Sequence, residues 1–229
     1  FARVEATDGK LRLLRYRGGK KSEITIELPP RPKWSATAPF DCARSADLLE
    51  QGCQALARRG LGKPQISSHI NALALLATGD ERYDGITRAH ARATISNPLS
   101  NEMGLACWHF AFANMFLSEY YLLTKDASVL PEIARLSQNL VDGQGPLGTW
   151  GHTFVDYKSN RLRGYGAVNA VGVPVAISLV LARECEVEVE GIDEAIELSA
   201  SFFRRHVGLG SIPYGDGSPG RDYGRADNG

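Results

Sequence analysis

The chain has 229 residues, of which 43% are hydrophobic and 23% charged, and its 26 basic side chains equal its 26 acidic ones. This composition excludes a disordered chain, and the balanced charge gives no positive field to attract nucleic acid or anionic lipid. No apolar run approaches the ~20 residues that cross a bilayer. We therefore expect one large folded domain, alone or with a small appendage.

The first predicted elements are two strands within residues 10–28, KLRLLRYRGGKKSEITIEL, joined at the Gly-Gly dipeptide. In the second strand Ile24, Ile26 and Leu28 alternate with polar residues, which is the period of a half-buried strand. Because an isolated hairpin is only marginally stable in water, we expect it to belong to a sheet that begins before residue 1.

A proline-rich segment follows, and it interrupts regular structure because proline fixes φ and lacks a backbone N–H. From Cys42 onward the pattern is helical, and the first helix begins at a possible Asp41 cap and stops at Gly60. The segments are therefore a β part at 1–29, a linker at 30–41 and an all-α domain at 42–229. The predicted helices span 42–60, 65–78, 81–96, 103–125, 129–142, 167–186 and 192–206.

Three apolar helices end in similar segments: LALLATGD at 73–80, EYYLLTKD at 119–126 and SLVLAREC at 178–185. Each precedes a short turn and a more polar helix, and glycine-rich loops return to the next apolar helix. This order predicts stacked helical hairpins. The spacing exceeds the ~34 residues of a tetratricopeptide repeat and favours a partial α/α toroid with apolar inner helices. We expect the rest of the ring to lie beyond residue 229.

In a toroid, the loops that enter the inner helices meet at the mouth of the ring. Three polar loops would meet there, at 97–110, 143–166 and 210–229. Imidazole, phenol and carboxylate groups exchange protons, arginines bind anions, and aromatic faces can stack on sugar rings. The candidate catalytic residues are His152, Asp156, Tyr165 and Asp216. The candidate substrate-binding residues are Trp108, His109, Trp150, Tyr157, Arg161, Arg163, Asn169 and Tyr214.

Each candidate also has a structural interpretation. His152 could satisfy a buried carbonyl, His109 could be a core histidine in an apolar helix, and Trp150 could close an outer helix against an inner one. Arg161 and Arg163 could be solvated loop residues and Asn169 an ordinary capping neighbour.

Sequence motifs for cofactors are missing. The chain has no H-E-x-x-H, P-loop, G-x-S-x-G, dinucleotide or EF-hand motif, and its four cysteines form no CxxC. We therefore predict no metal and no cofactor, and we expect the cysteines to be small buried thiols.

Several segments together resemble a bacterial family of planctomycete type, in which a PDZ-like domain precedes an α/α-toroid domain of unknown function. They are LRLLRYRGGKKSEITIELP, CWHFAFANMFLSEYYLLTKDASVLP, GTWGHTF, RLRGYGAVNAVG, LVLARE, GSIPYGDGSP and DNG. The resemblance implies that the hairpin is the end of a PDZ-like domain, and that the protein is periplasmic or extracellular. It implies fold more than function, because similar toroids host glycoside hydrolases, polysaccharide lyases, terpene cyclases and binding proteins.

Two functions remain open. The first is glycan binding or cleavage, either by a hydrolase with Asp156 and Asp216 as paired carboxylates or by a lyase. A lyase would use Arg163 or Asn169 to neutralise a uronate and His152 or Tyr165 to move the proton. The second is a non-catalytic PDZ-linked scaffold that binds peptide tails or protein partners.

Overall fold

The computed structural model describes residues 9–28, 34–156, 161–162, 166–210 and 212–215. The chain divides into two compact units, Phe1–Ala55 and Leu56–Gly229. This boundary falls inside the first helix, later than the proline-rich segment at which the sequence places the start of the helical domain.

The first unit contains the expected antiparallel hairpin, with strands β1 (Lys10–Arg17) and β2 (Lys20–Glu27). Gly18 and Gly19 connect them with φ values of 56° and 73°. Two consecutive positive φ values are what a two-residue hairpin turn requires, so the glycine pair explains the turn. The expected alternation is weaker than predicted, because Ile24 is only partly buried and Ile26 is exposed.

Helix α1 (Ala43–Arg59) begins two residues after Asp41. Asp41 has a left-handed φ of 46°, and Cys42 occupies the position before the first helical residue. The predicted Asp41 cap is therefore wrong by one position. Cys42, Cys53, Cys107 and Cys185 are all buried and form no disulfide, which confirms the prediction of buried thiols.

The six helices of the second unit lie within a few residues of their predicted bounds, because long amphipathic or apolar segments carry a strong periodic signal. Short 3-10 turns at Glu81–Tyr83 and Ala127–Val129 precede α3 and α5. The helices are α2 (Ile66–Leu76), α3 (Asp84–Ser96), α4 (Ala106–Thr124), α5 (Leu130–Asp142), α6 (Asn169–Glu184) and α7 (Ile192–Arg204).

These helices pack as three hairpins, α2 with α3, α4 with α5, and α6 with α7. The first helices of the hairpins also contact one another in sequence order, α2 with α4 and α4 with α6. Helix α4 is therefore the centre of the core, and its Phe110, Phe116 and Leu117 are fully buried. Among the described residues, no helix combines the length and apolarity needed to cross a membrane.

A buried polar group joins three of these helices. The Asn114 amide of α4 donates hydrogen bonds to Ser137 Oγ of α5 at 3.0 Å and to the Ser178 carbonyl of α6 at 3.2 Å. A buried amide is costly unless it is paired, so these bonds specify one arrangement of the helices.

Candidate functional site

The site forms where three segments of the second unit meet: the loop at 143–156, the start of α4, and residues 212–215. Backbone hydrogen bonds join them. The Cys107 N–H donates to the His152 carbonyl at 3.2 Å, and the Asn169 N–H donates to the Tyr214 carbonyl at 2.8 Å. Val168 also pairs with Gly215 as an isolated β-bridge. The backbone thus places residues that are distant in sequence side by side.

Glycines allow the first half of the 143–156 loop to pack closely. Gly148 has φ 88°, and a Cβ there would lie 2.4 Å from the Leu198 carbonyl oxygen. In α6, a Cβ on Gly172 would lie 2.4 Å from Thr149 Oγ1. Because Thr149 is fully buried, only glycine lets the loop approach α6 this closely. These glycines therefore have a packing role.

The second half of the loop presents His152 between two aromatic residues. Trp108 Nε1 donates a hydrogen bond to His152 Nδ1 at 2.8 Å, and Tyr214 Oη lies 2.9 Å from His152 Nε2. The indole also stacks on Phe112, with 6.3 Å between ring centroids and 8° between planes. Trp108, His152 and Tyr214 are half-buried, so the array keeps some contact with solvent. We call Trp108, His152 and Tyr214 the aromatic array.

A polar cleft of about 300 Å³ is lined in part by the next residues of the same loop. It is lined mainly by Asn101, Glu102, Asn139, Asp142, Thr153 and Phe154. Amides, carboxylates and a hydroxyl beside an aromatic ring can hydrogen-bond and pack against a polyhydroxylated ligand. Three residues of the cleft, 153–155, directly follow His152 of the array along the chain.

Two predicted substrate-binding residues are instead internal. Trp150 is fully buried and donates from Nε1 to the Leu140 carbonyl at 2.8 Å, so its ring cannot stack on a ligand. Asn169 is also buried, and its amide donates to the Pro213 carbonyl at 2.9 Å. Their roles are to anchor the 143–156 loop and to hold the segment that carries Tyr214. Their burial favours the structural interpretation of both residues, and direct ligand contact stays a prediction.

His109 follows Trp108 on α4 but belongs to a different environment. Its Nδ1 is buried without a hydrogen-bond partner, and burial lowers its pKa. Its charge would also lower the pKa of His69, so His109 lies near the histidines of the core. This placement supports the structural interpretation of His109 over a ligand contact.

The remaining candidates fall where little or nothing is described. Strand β3 (Val155–Asp156) pairs with β4 (Arg161–Leu162), with Asp156 opposite Arg161, but the side chains of these two residues are not described. Tyr157, Arg163, Tyr165 and Asp216 lie outside the described residues. Their roles stay predictions.

A pair of buried histidines was not among the predicted functional residues. His69 Nδ1 on α2 lies 3.2 Å from His90 Nε2 on α3, and both rings pack against Phe116. Burial, and secondarily the neighbouring histidines, lower the pKa of His69 to about 3, and burial lowers that of His90 to about 4. Their position on the apolar faces of two helices was the available signal.

A metal centre does not emerge from the described part of the chain, where no three His, Cys, Asp or Glu side chains are grouped to hold an ion.

A family model described as a domain of unknown function, DUF6288, matches residues 45–229. The chain belongs to this family. The match covers all of the second unit, with the aromatic array and the cleft, and agrees with the expected kinship to a family of unknown function. No curated protein and no solved structure matches the chain. The bacterial origin and the PDZ-like hairpin stay predictions.

Proposed function

We propose that this protein binds an acidic polysaccharide at the aromatic array and cleaves it as a lyase. The observation that carries the proposal is the hydrogen-bonded contact of an imidazole with a phenol and an indole on a half-buried surface. An aromatic face offers a platform for a sugar ring, and the adjacent imidazole and phenol can exchange protons. The polar cleft beside them supplies donors and acceptors for further sugar hydroxyls.

The described side chains of the array supply the groups that an elimination needs. A glycosidase needs two carboxyl groups about 5–10 Å apart on either side of the bond. A lyase instead needs a group that takes the proton next to a uronate carboxylate and returns a proton to the leaving oxygen. Tyr214 and His152 are groups of the second kind. Arg161, Arg163 and Tyr165 would contribute to carboxylate binding or proton transfer in this proposal.

The arrangement of the helices supports a partial α/α toroid as the scaffold. Helices α2, α4 and α6 form an inner layer in this interpretation, and α3, α5 and α7 an outer one. Trp108 lies in the first turn of α4 and Asn169 is the first residue of α6, so the array sits where two inner helices begin. This is the position at which a toroid would have its mouth.

The experiment is incubation of the protein with neutral and uronate-containing polysaccharides, with detection of reducing ends and of unsaturated products. We expect unsaturated products from a uronate polymer, and a loss of about 100-fold or more in rate for Tyr214→Phe. Trp34→Phe, far from this site in sequence and within the first unit, is the control that should keep full activity. Absence of product and of binding across both panels would refute the proposal.

A second candidate function, a PDZ-linked scaffold for peptide or protein partners, is favoured by the hairpin of the first unit. Leu13, Leu14 and Tyr16 of β1 and Ile26 of β2 are exposed there, although apolar strand residues are normally covered. Partner capture from envelope extracts that is lost in Leu14→Lys would support this function. Recovery of polysaccharide alone, with no protein partner, would count against it.

A further inference from the structure

Two hydrogen bonds within the aromatic array determine where the proton of His152 lies. An indole Nε1–H can only donate, so His152 Nδ1, which receives this bond from Trp108 at 2.8 Å, carries no proton. A neutral imidazole has one N–H, which must then be on Nε2. Tyr214 Oη lies 2.9 Å from that nitrogen and therefore accepts from it. The opposite direction, from the phenol to Nε2, would leave the ring with no proton at all.

We infer that Trp108 is a positioning residue that fixes the Nε2–H tautomer of His152, and that the Tyr214 phenol is the group that exchanges the proton with the ligand. This inference rests on the proposed lyase function. It reverses the sequence-based assignment, in which His152 is catalytic and Tyr214 only binds substrate. His152 becomes the link that transmits the position of Trp108 to the phenol.

The tautomer prepares Tyr214 for proton transfer in both directions. An N–H donor bonds more strongly to a phenolate than to a phenol, so His152 stabilises negative charge on the tyrosine oxygen. A second proton on His152 would have to enter at Nδ1, which would break the bond from Trp108 and set two N–H groups against each other. The indole thus orients the imidazole so that Nε2 faces the phenol as a donor.

The elimination step then uses one proton twice. The Tyr214 phenolate takes the proton from the carbon next to the uronate carboxylate. The electron pair of that C–H bond forms the C=C bond while the C–O bond to the leaving sugar breaks. The phenol returns the same proton to the leaving oxygen, which becomes a hydroxyl, and the phenolate is restored. No other reactant enters.

Separate backbone anchors hold the three groups of the array. Trp108 is fixed in α4 and stacks on Phe112, and the His152 carbonyl accepts from the Cys107 N–H of the same helix. The Tyr214 carbonyl accepts from the N–H of Asn169 in α6. Because the anchors are independent, removal of the indole donor should change the tautomer without moving the phenol.

The test is long-range ¹⁵N–¹H correlation NMR of the ¹⁵N-labelled chain at neutral pH, which distinguishes protonated from bare ring nitrogens in neutral histidines. His152→Gln identifies the signals of His152 among those of the five histidines. We expect a bare Nδ1 and a protonated Nε2. A wild-type His152 with its proton on Nδ1, or with both nitrogens protonated, would overturn the inference without the need for any further variant.

Trp108→Phe is the informative variant, because it keeps an aromatic ring and removes the donor. We expect its His152 signals to move toward a mixture of tautomers, while Trp34→Phe leaves them unchanged. Unchanged His152 signals in Trp108→Phe would show that the indole does not set the tautomer and would refute its positioning role.

The activity measurements separate this inference from the proposed function. On a uronate polymer that is cleaved, we expect Trp108→Phe to lower kcat about tenfold with little change in KM, and Tyr214→Phe to lose about 100-fold or more. If the tautomer is as expected but no polymer is cleaved, the lyase proposal and the proton exchange at Tyr214 fail while the positioning of His152 stands. If cleavage occurs but Tyr214→Phe keeps its rate, the assignment of the proton to Tyr214 fails alone.

Discussion

Two groups of aromatic and imidazole side chains in the helical unit have similar chemistry and opposite surroundings. In the core, His69 and His90 contact each other over Phe116, and all three rings are buried. In the aromatic array, His152 contacts two half-buried aromatic residues that reach it from α4 and from residues 212–215. Burial makes His69 and His90 determinants of stability. The aromatic array is only half-buried, which in the proposed function lets it contact a ligand.

The two tryptophans of the helical unit differ in the same way. Trp150 and Trp108 each donate one hydrogen bond from the indole, to the Leu140 carbonyl and to His152. The bond from Trp150 satisfies the buried Leu140 carbonyl. The bond from Trp108 orients the His152 imidazole. This difference can be tested with variants that lower the stability of the fold and leave the site unchanged, and with variants that do the reverse.

The largest effect expected is on the pH dependence of stability. His69 and His90 have folded-state pKa values of about 3 and about 4, below the 6.5 of a free histidine. As pH falls below 6.5, the unfolded chain binds these protons before the folded chain does. Their contribution is complete above pH 6.5 and declines as pH falls to about 4 for His90 and to about 3 for His69. The free energy of unfolding should drop by roughly 3 kcal/mol between pH 7 and pH 5.

Urea unfolding at several pH values measures this decline, and a double variant, His69→Gln with His90→Gln, is the control because it removes both titrating groups. Its stability should fall much less over the same interval, and the remaining decline should come from His109 and His206, whose pKa values burial also lowers. Asp80 and Asp126 do not confuse the result, because their pKa values lie below 3.8 and they titrate at lower pH. A double variant with the full wild-type decline would show that other groups cause it.

Replacement of Trp150 by Phe should cost roughly 2–4 kcal/mol of unfolding free energy. The smaller ring leaves a cavity, and the Leu140 carbonyl loses its donor in a buried place. Thermal and urea unfolding would measure the loss. A change below about 1 kcal/mol would mean that the indole is not the anchor of the 143–156 loop.

Gly172→Ala should destabilise by roughly 1–3 kcal/mol, although alanine is the better helix former, because its Cβ would meet Thr149 Oγ1 and the Phe203 ring. Gly85→Ala in α3 is the matched control, since a Cβ there meets nothing within 4 Å. It should be neutral or stabilising by up to about 1 kcal/mol. Equal effects of the two substitutions would contradict the close approach of the loop to α6.

Most of the fold could be predicted from the sequence because its signals are local. Apolar periodicity gave the seven helices to within a few residues, and the Gly-Gly pair gave the hairpin turn. The Asp41 cap failed because the chain turns through a left-handed φ before the helix starts. A single left-handed residue before a helix leaves no periodic pattern in the sequence, so this turn could not be predicted.

Only part of the site could be predicted, because its geometry depends on contacts across 44 and 62 residues of chain. The sequence selected Trp108, His152 and Tyr214 as candidates but could not show that they touch. It also could not separate Trp108 from Trp150, since both were expected at the mouth of the ring and only packing buries one of them. His69 and His90 were not predicted because each occupies an ordinary apolar helix face.

The smallest change in stability is expected for Trp108→Phe, and this variant best distinguishes the role of Trp108 from that of Trp150. The phenyl ring keeps the stacking on Phe112, and the lost hydrogen bond is worth only about 1 kcal/mol because the partners are half-buried. Unfolding should therefore shift by about 1 kcal/mol or less, against the larger loss for Trp150→Phe. If both variants lose equal stability, Trp108 is a core residue and the array is part of the scaffold. If only Trp150→Phe loses stability while Trp108→Phe changes the tautomer of His152, then the indole N–H of Trp150 stabilises the fold. The indole N–H of Trp108 then orients the site.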